Sequence, residues 1–127
     1  MFRLIRVWLI HIVALTISNL AFGQLSEVAT DSGTYRGHIS PIDERVTVFQ
    51  GIGYAAPPVG DLRWKPPSPA IPFAGVREAD RVSAACWQAR NSDASVYARG
   101  NLNRSEDCLY LNVFTGAEGS DADLPVM

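Results

Sequence analysis

Ser105-Glu106-Asp107-Cys108-Leu109-Tyr110-Leu111-Asn112-Val113-Phe114 is the stretch that sets the reading of this chain. From Leu109 to Phe114 apolar side chains are nearly continuous rather than alternating. Such a run predicts a strand covered on both faces, as in a mixed or parallel α/β sheet. Upstream, Arg45-Val46-Thr47-Val48-Phe49 alternates polar with apolar and predicts a half-buried strand. The glycines of Phe49-Gln50-Gly51-Ile52-Gly53-Tyr54-Ala55-Ala56-Pro57-Pro58-Val59-Gly60-Asp61-Leu62-Arg63-Trp64, with its proline pair, end that strand. Gly33 to Ile39 reads as a short strand after a turn, Gln24 to Asp31 as a polar lead-in, and Ser40 to Glu44 as a loop. Pro66 to Pro72 is expected to be extended, because proline disfavours the helical region for the residue before it. Arg81 to Gln88 and Ser92 to Arg99 each fit a short helical turn. After the acidic turn Gly116 to Asp123, Leu124-Pro125-Val126-Met127 looks like the start of another buried strand. An apolar strand without neighbours exposes an unpaired edge. The pattern therefore predicts part of a domain rather than a whole one.

Formal net charge is −2 over 127 residues. No basic stripe occurs, which argues against a nucleic-acid partner. Arg3 and Arg6 precede an apolar stretch from Val7 to Phe22, and Ala21-Phe22-Gly23 is a small-x-small cleavage site. Residues 1–23 therefore read as a secretory signal peptide, with Gln24 first after cleavage. The stretch is interrupted by His11, Ser18 and Asn19 and is short for a membrane span of roughly 20 apolar residues. Export would place Cys86 and Cys108 in an oxidising compartment, where a disulfide is the expected state and two free buried thiols the alternative. Asn103-Arg104-Ser105 is a glycosylation sequon or a chance match to one. His38 lies near a predicted surface turn with no motif around it and reads as an ordinary exposed histidine. Two cysteines and one histidine outside the signal do not make a zinc site, so no metal and no cofactor is expected.

Glu106-Asp107-Cys108-Leu109-Tyr110-Leu111-Asn112 resembles a signature of the type-B carboxylesterases, the cholinesterase-like α/β-hydrolases, and stands here unbroken. Upstream that family shows Phe-x-Gly-Ile-Pro-Tyr-Ala, then Pro-Pro-Val-Gly, then Leu-Arg-Phe. The present chain departs at Gly53, where proline is usual, and at Trp64, where phenylalanine is. Phe73-Ala74-Gly75-Val76 is similar to the family's Trp-x-Gly-Val. Cys86-Trp87-Gln88 is similar to its first loop cysteine, and Leu124 to Met127 to the lead-in of its next strand. The resemblance runs from about Gly33 to Met127.

The resemblance implies an α/β-hydrolase fold, of which residues 24–127 hold only the amino-terminal strands and the loop that walls the active-site gorge. It implies a disulfide between Cys86 and Cys108 closing that loop, and a buried ion pair between Arg63 and Glu106. Removing one partner of such a buried pair costs about 3–5 kcal/mol. For the full-length protein it implies a secreted serine hydrolase that cleaves small carboxylic esters through an acyl-enzyme. That chemistry needs a Gly-x-Ser-x-Gly elbow, a Gly-rich oxyanion loop, an acid and a histidine. Neither the Gly-x-Ser-x-Gly elbow nor the Gly-rich loop occurs in residues 1–127, and the acid and histidine would follow later still. No catalytic residue is assigned in this chain, which is expected to be inactive alone. Cholinesterases carry a tryptophan before the second loop cysteine that holds a quaternary ammonium by cation–π contact. Here the aromatics between the cysteines are Trp87 and Tyr97, which favours a general carboxylesterase-like member, with Tyr97 as loop packing. The same fold occurs in cholinesterase-like adhesion proteins that lack the serine, the neuroligins among them, so a non-catalytic binding protein is the alternative.

Overall fold

The computed structural model describes residues 24–88 and 103–127. The signal segment 1–23 and the helical turn expected at Ser92 to Arg99 lie outside the described residues. Six strands run in chain order: β1 (Glu27–Thr30), β2 (Gly33–Arg36), β3 (His38–Ile39), β4 (Thr47–Gly53), β5 (Val76–Glu78) and β6 (Tyr110–Thr115). They form two three-stranded sheets, ordered β1-β2-β5 and β3-β4-β6. Among the described residues the helical structure is one 3-10 turn, Gly60–Leu62. No helix there is long and apolar enough to cross a membrane.

The polar lead-in is in fact strand β1, antiparallel to β2 with Glu27 opposite Arg36 and Thr30 opposite Gly33. Its turn is closed by Thr30 Oγ1, which donates to the Gly33 carbonyl at 2.8 Å and accepts the Ser32 N–H at 3.3 Å. Glu27 alternates with little apolar material, so β1 is invisible without its partner. Arg36 supplies one, lying 2.7 Å from Glu27 and 2.6 Å from Glu78 of β5. Cross-strand pairs of this kind stabilise a sheet by about 0.2–1 kcal/mol each.

The single strand expected from Gly33 to Ile39 breaks at Gly37, where the chain passes from one sheet to the other. A Cβ at Gly37 would lie 2.8 Å from the Val48 carbonyl oxygen, so only glycine permits the close passage. β4 starts at Thr47 and runs past Phe49 through the glycines. Thr47 opposes Thr115 and Phe49 opposes Val113; the register then shifts and resumes with Ile52 opposite Leu111. Gly51, at φ 73°, sits in this bulge. The Gly51 N–H donates to Asn112 Oδ1 at 2.9 Å. A side chain thus replaces the ladder bond that the extra residue removes.

The core sits where the sheets meet. Tyr35, Phe49 and Ala79 are buried, with Leu25, Val28, Ile52 and Phe73 packed against them. The Tyr35 and Phe73 rings meet edge to face, centroids 5.1 Å apart.

Pro66 to Pro72 is extended, with the Ala56 N–H donating to the Ser68 carbonyl at 3.0 Å and Ala55 paired to Pro69. Arg81 to Gln88 is not helical. Its backbone is extended and finds a partner distant in sequence, Ala85 bridging Arg104, just after Asp80 bridges Gln50. β6 lies where a strand was expected, but it is antiparallel to β4 and not covered on both faces. Phe114 is 65% exposed, and Leu111 and Val113 are also exposed. Apolar continuity marks what a strand requires as cover, and among the described residues β4 alone pairs with it. Leu124 to Met127 forms no strand and is exposed.

Candidate functional site

Pro57 and Pro58 cannot continue the β4 ladder, because proline lacks an N–H. The chain leaves the sheet and turns at Gly60–Leu62, with the Arg63 N–H donating to the Gly60 carbonyl at 3.2 Å. The turn delivers Arg63 and Trp64 to the surface. Trp64 adopts φ 61°, a left-handed conformation that bulky residues rarely take. Arg63 Nη2 lies 2.8 Å from Glu106 Oε1, and its guanidinium carbon 5.7 Å from the Trp64 ring centroid. The two charged side chains are 55% and 39% exposed, so the pair is half-exposed rather than buried. Water therefore screens it, and its contribution falls to about 0–1 kcal/mol.

Cys86 and Cys108 are joined in a disulfide. Beside it the Ala85 N–H donates to the Asn103 carbonyl at 2.9 Å, and the Ser105 N–H returns to the Ala85 carbonyl at 3.0 Å. The loop between the cysteines is thus closed twice, by a covalent link and by a two-bond backbone bridge. Closure of a loop of this length stabilises a fold by about 3 kcal/mol in the chain-entropy model. The Asp107 N–H donates to Ser105 Oγ at 3.1 Å, which fixes the turn that carries Glu106.

The signature residues have separable places. Glu106 pairs with Arg63, Cys108 holds the loop, and Tyr110, Leu111 and Asn112 lie in β6. Burial pushes the Tyr110 phenol above its ordinary value, and a hydrogen bond with Asp107 adds to this. Asn103 is exposed at the foot of the loop. His38 is a half-buried residue of β3, opposite Val48, rather than an exposed turn residue; its Nδ1 is enclosed without a hydrogen-bond partner. The correction follows from β3 pairing, which a two-residue strand does not announce in sequence. Tyr97 lies outside the described residues.

Pro58, Trp64, Trp87, the Arg63–Glu106 pair and the disulfide line a concavity of about 330 Å³. Sequence reasoning took Arg63, Glu106 and the cysteines individually but missed this convergence, and it missed the bulge-capping role of Asn112. A polar residue inside an otherwise apolar run was the available signal for the latter. Among the described residues no cluster of histidine, cysteine, aspartate and glutamate side chains is arranged to hold a metal ion. The groups gathered here can brace a loop and offer an aromatic surface.

The signature strand, its cross-linked loop and the ion pair are joined in one substructure, and the family model described as the carboxylesterase family matches residues 24–127. The chain belongs to that family. The family implies the α/β-hydrolase class, and the sheet-rich described part is consistent with an incomplete domain of it. The chain is 40% identical over 94 residues to the fumonisin B1 esterase of Sphingopyxis macrogoltabida, covering 74% of this chain and 17% of that protein. It is 38% identical over 107 residues to the cocaine esterase of Oryctolagus cuniculus, covering 77% and 20%. It is 38% identical over 110 residues to the acetylcholinesterase of Gallus gallus, covering 80% and 14%. The matched region thus spans a fifth or less of these relatives' lengths. All three carry esterase names, and the adhesion alternative finds no support among them.

Proposed function

We propose that residues 24–127 are the amino-terminal portion of a secreted serine hydrolase of small carboxylic esters, preceded by a signal peptide at 1–23. In this reading they supply scaffold and the disulfide loop, and have no esterase activity by themselves. The family match across residues 24–127, set against relatives several times longer, carries the reading. A nucleophilic serine, its oxyanion donors, an acid and a histidine would come from further sequence. The exposed Asn103 then becomes a glycan acceptor in a host that glycosylates secreted chains. Loss of mass on glycosidase treatment, absent in Asn103→Gln, is the expected sign.

The test is the transcript beyond the Met127 codon. A frame that continues into a Gly-rich loop and then Gly-x-Ser-x-Gly supports the hydrolase. A frame with that serine replaced overturns it in favour of a binding protein. Hydrolysis of a short-chain aryl ester by purified residues 24–127, abolished by Cys86→Ala, would overturn the claim of inactivity alone.

A further inference from the structure

We propose that the segment from Arg63 to Pro72 is a surface ligand for a polyproline-binding protein module of the SH3 type, whose groove is walled by aromatic rings and carries carboxylates at one end. Arg63-Trp64-Lys65-Pro66-Pro67-Ser68-Pro69-Ala70-Ile71-Pro72 places prolines at 66, 69 and 72, with an arginine three residues before the first. A polyproline II chain has three residues per turn, so these three prolines fall on one edge of it. Proline fixes its own φ and holds the residue before it extended. Between Lys65 and Pro72 only Ala70 is neither a proline nor followed by one.

The fold turns that edge to solvent. Pro66, Pro69 and Pro72 are exposed, as are Arg63 and Lys65, whereas Ser68 and Ala70 are half-buried. On the inward side the Ser68 carbonyl accepts the Ala56 N–H at 3.0 Å, and Pro69 bridges Ala55. The segment is therefore extended before a partner arrives, and a ligand ordered in advance loses less freedom on binding. Charge selects the partner. No acidic residue occurs from Arg63 to Arg77, so the amino end of the segment is positive through Arg63 and Lys65. Glu106 holds Arg63 through a half-exposed contact that water screens, and carboxylates at the end of a groove can compete for the guanidinium. An aromatic groove with an acidic end complements both the proline edge and this charge.

The test is a titration of an isotope-labelled SH3 domain that takes Arg-x-x-Pro-x-x-Pro peptides with the intact chain, read on the amide resonances of the domain. Its outcome does not depend on the hydrolase reading, because no bond is broken. Saturable shifts confined to the aromatic groove and its acidic end are expected. Pro66→Ala, Pro69→Ala and Arg63→Gln are each expected to weaken binding by about 5-fold or more, the loss that marks a contact carrying affinity. Ile42→Ser, at an exposed apolar residue outside the segment, should bind within about twofold of the parent, as surface changes away from a contact do. A synthetic peptide of residues 63–72 needs no fold, so the loss on Pro66→Ala must recur in it even where the variant chain is unstable. Absence of saturable shifts overturns the proposal, as do shifts outside the groove or unchanged affinity in both proline variants. Unchanged affinity in Arg63→Gln overturns the acidic end and with it the assignment to this type of module.

Discussion

At the scale of single residues, two glycines in one run behave oppositely. Gly51 needs its left-handed φ of 73°, and a Cβ there would lie 2.7 Å from the Arg81 carbonyl oxygen. Gly51→Ala is expected to destabilise the chain by about 1–3 kcal/mol in urea unfolding. Gly53 faces the Tyr110 ring, where a Cβ would find ordinary contact at 3.5 Å. The ladder bond at this point is made one residue on, from the Tyr54 N–H to the Leu109 carbonyl at 3.1 Å. Gly53→Ala is therefore expected to stabilise by about 0.4–1 kcal/mol in the same measurement, by restricting the unfolded chain. Asp43 is a third case. Side-chain hydrogen bonds from Arg45, then its backbone N–H, lower the carboxyl from 3.8 to about 2. A folded value below the unfolded one means the carboxylate favours the folded loop above pH 3.8, and that preference is lost as pH falls through about 2. The Asp43 Cγ chemical shift should report that midpoint, and Arg45→Ala should return it toward the ordinary value.

At the scale of elements, exposure decides what the Arg63–Glu106 contact is worth. Burial would make each single substitution cost about 3–5 kcal/mol. With both side chains near half-exposed, a double-mutant cycle of Arg63→Gln and Glu106→Gln is expected to give a coupling of about 0.2–1 kcal/mol. A coupling above about 2 kcal/mol would show the pair desolvated. The elements themselves were unevenly legible. β6 was visible because six successive residues favour an extended, covered chain. β4 was visible only in its first half, since glycines that read as a terminus instead form a bulge whose lost bond Asn112 replaces. β1 was invisible because its stabilising partners, Arg36 and the Thr30 turn, lie in β2 and the connection. The helical turn expected at Arg81 to Gln88 failed because Arg104 offers Ala85 a strand-like partner, and Asp80 just before the segment is already bridged to Gln50.

At the scale of the whole molecule, the apolar face of β6 has no partner among the described residues. Exposed edge strands of this composition pair with other chains. The chain is expected to self-associate with rising concentration, seen as an increase in sedimentation coefficient. Phe114→Lys, placing a charge on the most exposed apolar residue of β6, should suppress it. A concentration-independent monomer in the parent chain would show that β6 is covered. The small core of Tyr35, Phe49 and Ala79 explains why the cross-link weighs heavily, since few buried side chains oppose the entropy of a loop-rich chain.

Residue order alone carried the family signature, the location of β6 and the two candidate cysteines, because identity and local periodicity are properties of neighbours along the chain. Tertiary structure alone decided that Gly51 sits in a bulge, that His38 is half-buried, that the ion pair meets water, and that Trp64 and Trp87 face one concavity. Each of those depends on groups brought together from distant positions. Burial and register are set by what packs across a sheet, and no segment states that by itself.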